Sequence, residues 1–178
     1  MKHFIAIFLL GIFTSCCYAQ TEPEFEMEPY ILNADSTLGT ALPCESAYEK
    51  AKAAASMYLV GVGKVKSYYY IKGLASPLKI KKTAQIIINT DGTSPQQCLS
   101  IIKLEQLQSK RRWKTGEAGA FTGATSNEDA AVVLKYKKYG ENSVVLSLSG
   151  YEPGEYCLAI TNMMTNTKSA KVYTFCIE

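Results

Sequence analysis

Histidine is nearly absent from this chain of 178 residues: the only one is His3, in a segment that we expect to be removed by cleavage. A protein without an imidazole has no Ser-His or Cys-His nucleophile pair and no histidine-ligated zinc or copper. The cysteines include no C-x-x-C pair, which disfavours a zinc ribbon. We therefore expect no metal, no cofactor and no enzymatic activity.

Long apolar runs are scarce too, and the one at the start of the chain has the length of a secretory signal peptide. A short basic start precedes about ten apolar residues, whereas a membrane span needs about twenty. Small residues then lead to Ala19. This pattern predicts a signal peptide over residues 1–19 and a secreted or periplasmic protein without a transmembrane span. The alternative is an outer-membrane lipoprotein that is cut before Cys16 and lipidated there, although Phe13 stands where leucine is usual.

Each sign of charge is missing, or nearly so, from one part of the chain. Residues 20–49 hold seven acids and no base, whereas residues 64–114 hold eleven bases and two acids. An acidic, proline-containing start of this kind buries too little apolar surface to fold alone. We therefore predict a flexible acidic segment over residues 20–43, followed by a single domain over residues 44–178.

The chain has no segment with a strong helical period. A period of two dominates instead, which is typical of strands with one buried face. In residues 64–72 the side chains that share one predicted face are Lys64, Lys66, Tyr68, Tyr70 and Lys72. Further strands are predicted within residues 77–81, 86–88, 98–108, 132–139, 144–148, 155–161 and 171–177. The fold class is all-β, an antiparallel β-sandwich of about seven strands. Residues 46–57 form either a short N-terminal helix or the lead-in to the first long strand.

A Pro-Gly turn precedes Tyr156 at the start of a predicted strand. A tyrosine in this place can donate a hydrogen bond from its hydroxyl to the backbone of the turn, as in the tyrosine corner of Greek-key sandwiches. Tyr156, Leu158 and Ile160 would then face the core, with Cys157 on the opposite side. The motif indicates topology and carries no chemistry.

Four cysteines remain after the leader, and an even number in an exported chain favours disulfides. Four cysteines allow three pairings. If the strands around Cys157 and Cys176 are neighbours, these two residues meet on one face and can form a bond. That pairing leaves Cys44 and Cys98 to tie the front segment to the sheet.

Basic and aromatic residues supply the candidate binding surface. Pairs of lysines at alternate positions, which share one face of a strand, occur at Lys64/Lys66, Lys79/Lys81 and Lys135/Lys137. A denser basic run surrounds the only tryptophan. Such a surface suits anionic or sugar ligands. The predicted binding residues are Lys64, Lys66, Tyr68, Tyr70, Lys110, Arg111, Arg112 and Trp113. The alternatives are a solvated sheet face whose lysines deter edge pairing, and a basic hairpin loop with Trp113 turned inward.

Two enzymatic alternatives have little support in the sequence. Ser76 and Lys79 fit the S-x-x-K spelling, but that motif acts at a helix start, whereas these residues lie at the start of a predicted strand. Paired carboxylates could hydrolyse glycosides. The available acids, all expected in solvated turns or loops, are Glu117, Glu128, Asp129, Glu141, Glu152 and Glu155.

Several segments resemble a group of exported proteins of Gram-negative anaerobic bacteria. The similar segments are residues 55–64, 138–143, 153–156 and the closing residues 175–178. Members of that group often end in Phe-Gly-Ile-Asp, so Cys176 departs from the pattern. The resemblance covers most of residues 54–178, implies the sandwich fold, and implies no catalytic residue.

Together these observations predict a non-enzymatic accessory protein of the cell envelope. Its expected ligand is an acidic glycan or lipopolysaccharide, and nucleic acid is not favoured. The alternative is a structural or assembly subunit that binds an envelope protein, with the acidic segment docking on the partner, for instance by strand addition.

Overall fold

The structure is a computed structural model that describes residues 21–53, 63–119, 123–126, 131–161 and 169–178. The predicted signal peptide lies outside these residues. The strands are β1 (Tyr30–Leu32), β2 (Leu38–Ala41), β3 (Cys44–Ala53), β4 (Lys64–Lys72), β5 (Lys79–Ile80), β6 (Gln85–Asn89), β7 (Leu99–Lys103), β8 (Glu105–Gln106), β9 (Lys110–Gly119), β10 (Gly123–Ser126), β11 (Ala131–Val132), β12 (Tyr136–Tyr139), β13 (Ser143–Ser147), β14 (Gly154–Ile160) and β15 (Ser169–Ile177). A single turn of helix, α1 (Pro95–Cys98), precedes β7. In the described residues no helix has the length and apolar character needed to cross a membrane.

The strands form two sheets, which confirms the predicted all-β sandwich. The smaller sheet has the order β12-β13-β6-β1-β2. The larger one has the order β10-β9-β4-β3-β15-β14-β7-β11, with β5 beside β15 and β8 beside β9. Neighbouring strands are antiparallel throughout, except that β5 runs parallel to β15. There are more strands than the sequence predicted, because several have only two to four residues.

The larger sheet curls until its strands close into a ring. β7 pairs with β14 and β8 pairs with β9, while a single residue, Leu104, separates β7 from β8. The Leu104 amide donates a hydrogen bond of 2.8 Å to the carbonyl of Glu155, which holds the chain at the junction. The ring therefore runs through β7/β8, β9, β4, β3, β15 and β14. It has an inner face and an outer face.

Apolar side chains fill the space between the two sheets. Leu158 and Phe175 of the larger sheet and Ile86, Ile88 and Leu146 of the smaller one are fully buried there. β6, β7, β13, β14 and β15 send alternate side chains into this layer, as the period of two in the sequence predicts.

The predicted tyrosine corner is present beside this core. The Tyr156 hydroxyl donates a 2.8 Å hydrogen bond to the carbonyl of Glu152, and its ring stacks on Phe175 at 5.8 Å between centroids. Gly154 has a φ of +146°, a conformation that favours glycine, so the Pro-Gly turn is needed to deliver Tyr156 to the core.

A second apolar cluster lies on the inner face of the ring. Its members come from six strands or strand ends and are nearly inaccessible to solvent: Ala47, Tyr69, Ile71, Ile102, Leu104, Trp113, Cys157, Ala159, Ala170 and Val172. Strands buried on both faces explain why β14 and β15 read as almost continuous apolar runs.

The acidic segment predicted to be flexible is instead folded against the smaller sheet. β1 pairs with β6 and β2 pairs with β1, because their apolar residues and backbone groups extend that sheet. The Glu22 carboxylate accepts hydrogen bonds from the amides of Glu141 (2.7 Å) and Asn142 (3.0 Å), at the turn between β12 and β13. Burial alone would raise the pKa of Glu22, but the hydrogen bonds from these amides and from Ser143 together lower it.

The segment with two predicted conformations, residues 46–57, is a strand as far as it is described. Residues 46–53 belong to β3, which pairs with β4 and β15, and residues 54–57 lie outside the described residues. The alternating Ala and Lys side chains fit a strand here because one face is needed to line the ring.

The four cysteines of the described residues are free thiols, so the structure does not support the predicted disulfides. β14 and β15 are neighbours, and Cys157 and Cys176 share the inner face, as expected. However, Cys157 lies opposite Thr174, and Cys176 lies opposite Glu155. Such diagonal positions are about 7–8 Å apart, beyond the usual Cα separation of a disulfide. Cys44 is exposed on β3, whereas Cys98 is buried between the sheets.

Candidate functional site

A basic, tyrosine-bearing surface covers the outer face of β3, β4 and β9. The three strands are adjacent, and their register places Tyr48 opposite Tyr70 and Tyr70 opposite Arg112. Because side chains alternate along a strand, the outward residues of all three strands lie together. We call this surface the cationic face. Its residues are Tyr48, Lys50, Lys52, Lys64, Lys66, Tyr68, Tyr70, Lys72, Lys110, Arg112, Lys114 and Glu117.

A bulge in β9 shapes one end of the cationic face. The pairing of β4 with β9 shifts between Ser67 and Tyr68, so that β9 has one extra residue there. The shift returns Glu117 to the same side as Lys114, which an uninterrupted strand would not do. The Lys114 ammonium then binds the Glu117 carboxylate at 2.9 Å, and the Lys64 ammonium binds it from the neighbouring strand. Hydrogen bonds from Lys64 and Lys114 lower the pKa of Glu117 to about 2.

Cations lie over the tyrosine rings of this face. The Lys110 ammonium is 4.5 Å from the centre of the Tyr70 ring, and the Arg112 guanidinium is 4.4 Å from that of Tyr68. Tyr70 is only 5% exposed. Tyr68 and Tyr70, both predicted to bind ligand, therefore have basic side chains of the protein over their rings, and Tyr70 is buried. Tyr48, in contrast, is 42% exposed.

The positive charges of the cationic face are only partly neutralised. Arg112 forms a bidentate ion pair with Glu105 of β8, with N···O distances of 2.7 and 2.9 Å. Glu117 binds Lys64 and Lys114. Within the described part of the chain, five lysines of the face have no ion pair: Lys50, Lys52, Lys66, Lys72 and Lys110.

Two open depressions lie on the cationic face, one after the other along β4. The first has a volume of about 630 Å³, and its wall includes Tyr48, Lys50, Tyr70, Lys72 and Lys110. Glu49 also borders it, although the Glu49 side chain belongs to the inner face, where its charge helps to raise the pKa of Tyr69 after the larger effect of burial.

The second depression has a volume of about 450 Å³. Its wall includes Lys52, Lys64, Lys66, Tyr68 and Arg112. The two depressions thus share the basic character of the face and divide its unpaired lysines between them.

The predicted basic run at 110–113 is split between the two faces of β9. Lys110 and Arg112 join Lys64, Lys66, Tyr68 and Tyr70 on the cationic face. Arg111 and Trp113 point inward, and the prediction that they bind ligand is therefore wrong. The run is a strand, so the period of two separates its neighbours. Trp113 is 5% exposed and stacks on Tyr69, with ring centres 5.0 Å apart.

Arg111 is fully buried and organises a polar cluster inside the ring. Its Nη2 atom binds both carboxylate oxygens of Glu45, at 3.0 and 2.9 Å, and Nη1 is 3.5 Å from Oε2 of Glu155. Nε and Nη2 also donate hydrogen bonds to the carbonyls of Gly73 (3.2 Å) and Lys72 (3.0 Å). The cluster ties β9 to β3, to β14 and to the chain after β4.

Hydroxyl groups complete this cluster. Thr174 donates a hydrogen bond to Oε2 of Glu45, and the Oγ atom of Ser76 lies 3.1 Å from the Thr174 hydroxyl. The Ser76 amide donates to Glu155 at 2.8 Å. Lys79 instead binds Glu178 on the surface at 2.9 Å. The S-x-x-K spelling therefore does not bring its serine and lysine together, and the polar cluster acts as a structural tie.

The acids considered for a glycoside hydrolase do not all lie in the solvated turns or loops that the sequence predicted for them. Glu117 lies in β9 and Glu155 is buried in β14, so these two are not in solvated loops. Glu152 forms an exposed ion pair with Lys103, whereas Glu128 and Asp129 lie outside the described residues.

Sequence reasoning missed the contribution of β3 and of Lys72 to the cationic face. Tyr48, Lys50 and Lys52 stand at alternate positions, and three of the four residues around them are alanines, Ala47, Ala51 and Ala53. That alternation is the signal that could have identified a strand with one polar face. Its alanine-rich composition also fits a helix, which is why both conformations remained open.

Comparisons with known proteins add no family to this geometry. The chain matches no protein-family model, and neither the curated proteins nor the solved structures provide a match.

Proposed function

We propose that this protein is a non-enzymatic binding module of the cell envelope that holds an anionic glycan on its cationic face. One observation carries the proposal: two adjacent depressions are bordered by five lysines that form no ion pair within the described part of the chain. A soluble surface does not need so many like charges in one place, since each repels its neighbours. An anionic ligand relieves that repulsion.

The strands hold these charges in a fixed arrangement. Lysine chains are long and lose rotamer entropy on binding, so a rigid base lowers the cost of ordering them. The contact of Lys110 with the Tyr70 ring orients one ammonium before any ligand arrives. Exposed charges of this kind are screened by salt over about 10 Å at 0.1 M ionic strength. The affinity should therefore fall as salt rises.

The export of the chain is part of the proposal and is supported by the leader-like pattern of residues 1–19. An exported binding module meets acidic polysaccharides and the phosphates of lipopolysaccharide. An envelope protein is the alternative partner.

A binding screen tests the proposed function. Residues 20–178 would be titrated with polygalacturonate, lipopolysaccharide and neutral dextran at low and moderate salt. The test variant carries Lys52→Ala, Lys66→Ala, Lys72→Ala and Lys110→Ala. A matched control removes the same charge from exposed lysines elsewhere, with Lys81→Ala, Lys137→Ala, Lys138→Ala and Lys171→Ala.

We expect polygalacturonate to bind, dextran not to bind, and the test variant to bind at least about tenfold more weakly at low salt. The control variant should bind as the parent does. Equal weakening in both variants would reduce the effect to net charge and contradict the assignment to this face. No binding by any glycan would reject the proposal in favour of an envelope protein partner.

A further inference from the structure

We propose that the ligand of the cationic face is a linear acidic polysaccharide that lies lengthwise along β4 and fills both depressions. This inference rests on the proposed function and names the class of ligand. It follows from the shape of the face, from the distribution of its charges, and from the few apolar side chains it exposes.

The face is long and narrow. Lys66 and Lys72 belong to different depressions and are six residues apart on β4, which corresponds to about 20 Å at a rise of about 3.3 Å per residue. Across the strands, Lys50, Tyr68 and Lys114 are direct neighbours, which corresponds to about 10 Å over two strand spacings. A compact anion would occupy one depression, whereas a chain with repeated acidic groups matches the whole strip.

The unpaired lysines occur at both ends of this strip. Lys72 and Lys110 border the first depression, and Lys52 and Lys66 border the second. Between them, Tyr68 and Tyr70 lie beneath Arg112 and Lys110. Acidic groups at regular intervals on one chain can therefore reach cations at each end, and linking them in one molecule raises the affinity through effective concentration.

The exposed apolar side chains disfavour nucleic acid and lipid as ligands. Single-stranded nucleic acid is held by stacking successive bases on exposed aromatic rings. The large apolar residues exposed in the described part of the chain are Phe25, Tyr48, Leu74, Val133 and Tyr136, and of these Tyr48 alone lies on the cationic face. The face thus offers neither a series of rings for bases nor an apolar surface for acyl chains.

Tyr48 has a role in this arrangement. Its ring borders the first depression directly across from Tyr70, and it is accessible. An exposed tyrosine can pack its ring against the apolar face of a sugar while the lysines bind the acidic groups. Tyr48 would then provide contact with the sugar ring and would not contribute to the charge-dependent part of binding.

A series of oligogalacturonates of increasing length, from the disaccharide to the dodecasaccharide, tests the inference by calorimetry. Sulfated oligosaccharides of the same lengths distinguish sulfate from carboxylate as the preferred group. The variants are Lys72→Ala with Lys110→Ala for the first depression and Lys52→Ala with Lys66→Ala for the second. Lys137→Ala with Lys138→Ala is the control.

We expect affinity to rise with length in at least one of the two series and to level off once the strip is filled. Each half-face variant should level off at a shorter length, and the control should follow the parent. Tyr48→Ala should weaken binding at every salt concentration by a similar factor, since it carries no charge.

Three outcomes would overturn the inference while leaving the proposed function intact: affinity that does not depend on length, loss of all binding from one half-face variant alone, or equally tight binding of a charge-matched oligothymidylate. Failure of every acidic glycan to bind, including long polygalacturonate, would instead reject the proposed function itself.

Discussion

Replacing Arg111 with methionine should destabilise the protein far more than the same change at its neighbour Arg112. Arg111 is 0% exposed, and its guanidinium binds the carboxylates of Glu45 and Glu155. Without it, Glu155, which is 3% exposed, keeps a buried charge and loses its cationic partner. Removing one partner of a buried ion pair costs about 3–5 kcal/mol. Arg112 pairs with an exposed acid, so its loss should cost less than about 1 kcal/mol.

Urea unfolding measures the difference. Trp113 is the only tryptophan, is buried, and stacks on Tyr69, so its fluorescence reports loss of the inner cluster. Circular dichroism follows the same transition independently, which guards against a local change of emission beside the substituted residue. The free energy of unfolding of Arg111→Met, Arg112→Met and the parent would be compared at neutral pH.

Two further variants test the role of the buried charges even if Arg111→Met does not fold. Arg111→Lys retains the charge and loses the planar fork, so it should lie between the parent and Arg111→Met. Adding Glu155→Gln to Arg111→Met removes the unpaired buried charge and should recover at least about 1 kcal/mol of the loss. Equal costs at Arg111 and Arg112, or no recovery from Glu155→Gln, would show that burial of the charges does not determine the effect.

Three other predictions follow from local contacts. Tyr156→Phe removes the hydrogen bond to the Glu152 carbonyl and should cost about 0.5–1.5 kcal/mol in urea unfolding, with an unchanged β-type circular dichroism spectrum. The NMR signal of the Glu117 carboxyl carbon should titrate near the pKa of this group, about 2. Because the pKa is depressed in the folded protein, the ion pairs of Glu117 contribute stability above about pH 4.5, and this contribution is lost as the pH falls toward 2. A midpoint near the ordinary value of a glutamate would contradict these ion pairs. A thiol reagent should label exposed Cys44 in the native protein and Cys157 only after unfolding, because Cys157 is 0% exposed and the reagent cannot reach it in the folded protein. Failure of either thiol to react after unfolding would indicate a disulfide.

The sequence was informative where one strand places its basic residues at alternate positions. Lys64, Lys66 and Lys72 of residues 64–72 share one predicted face with Tyr68 and Tyr70, and the structure gives β4 the same bounds and the same two faces. The Pro-Gly turn before Tyr156 was equally informative, because the hydrogen bond it predicts joins residues only four positions apart. Local patterns of this kind require no knowledge of the partners across the sheet.

The basic run at residues 110–113 could not be divided correctly from the sequence. Basic residues occupy both faces of β9, so no alternation marks which of them is buried. The carboxylates that make burial of Arg111 possible come from Glu45 and Glu155, which are 66 and 44 positions away. Pairing between residues so far apart in the chain depends on the topology of the ring, and the local pattern of the sequence does not predict that topology.

The acidic segment shows a related limit. Residues 20–43 hold five acids and no base, which predicted that they would not pack, yet none of those acids lies in β1 or β2. The strands are built from apolar residues between the acids, and Glu22 binds amides at a turn far along the chain. Composition averaged over the segment concealed the short strands, because three or four residues are sufficient to extend an existing sheet.

The buried cluster and the cationic face are connected through the register of β9. Side chains of a strand alternate, so a slip by one residue would exchange the two faces completely. With Arg111 held inward by Glu45, Glu155 and two backbone carbonyls, Lys110 and Arg112 must point outward. A slipped strand would turn Lys110 and Arg112 inward and would move Trp113 away from the buried Tyr69 ring on which it stacks. We infer that the buried ion cluster and the stacking of Trp113 on Tyr69 together specify the register of β9, so the placement of Lys110 and Arg112 on the cationic face depends on residues buried on the opposite face of the strand.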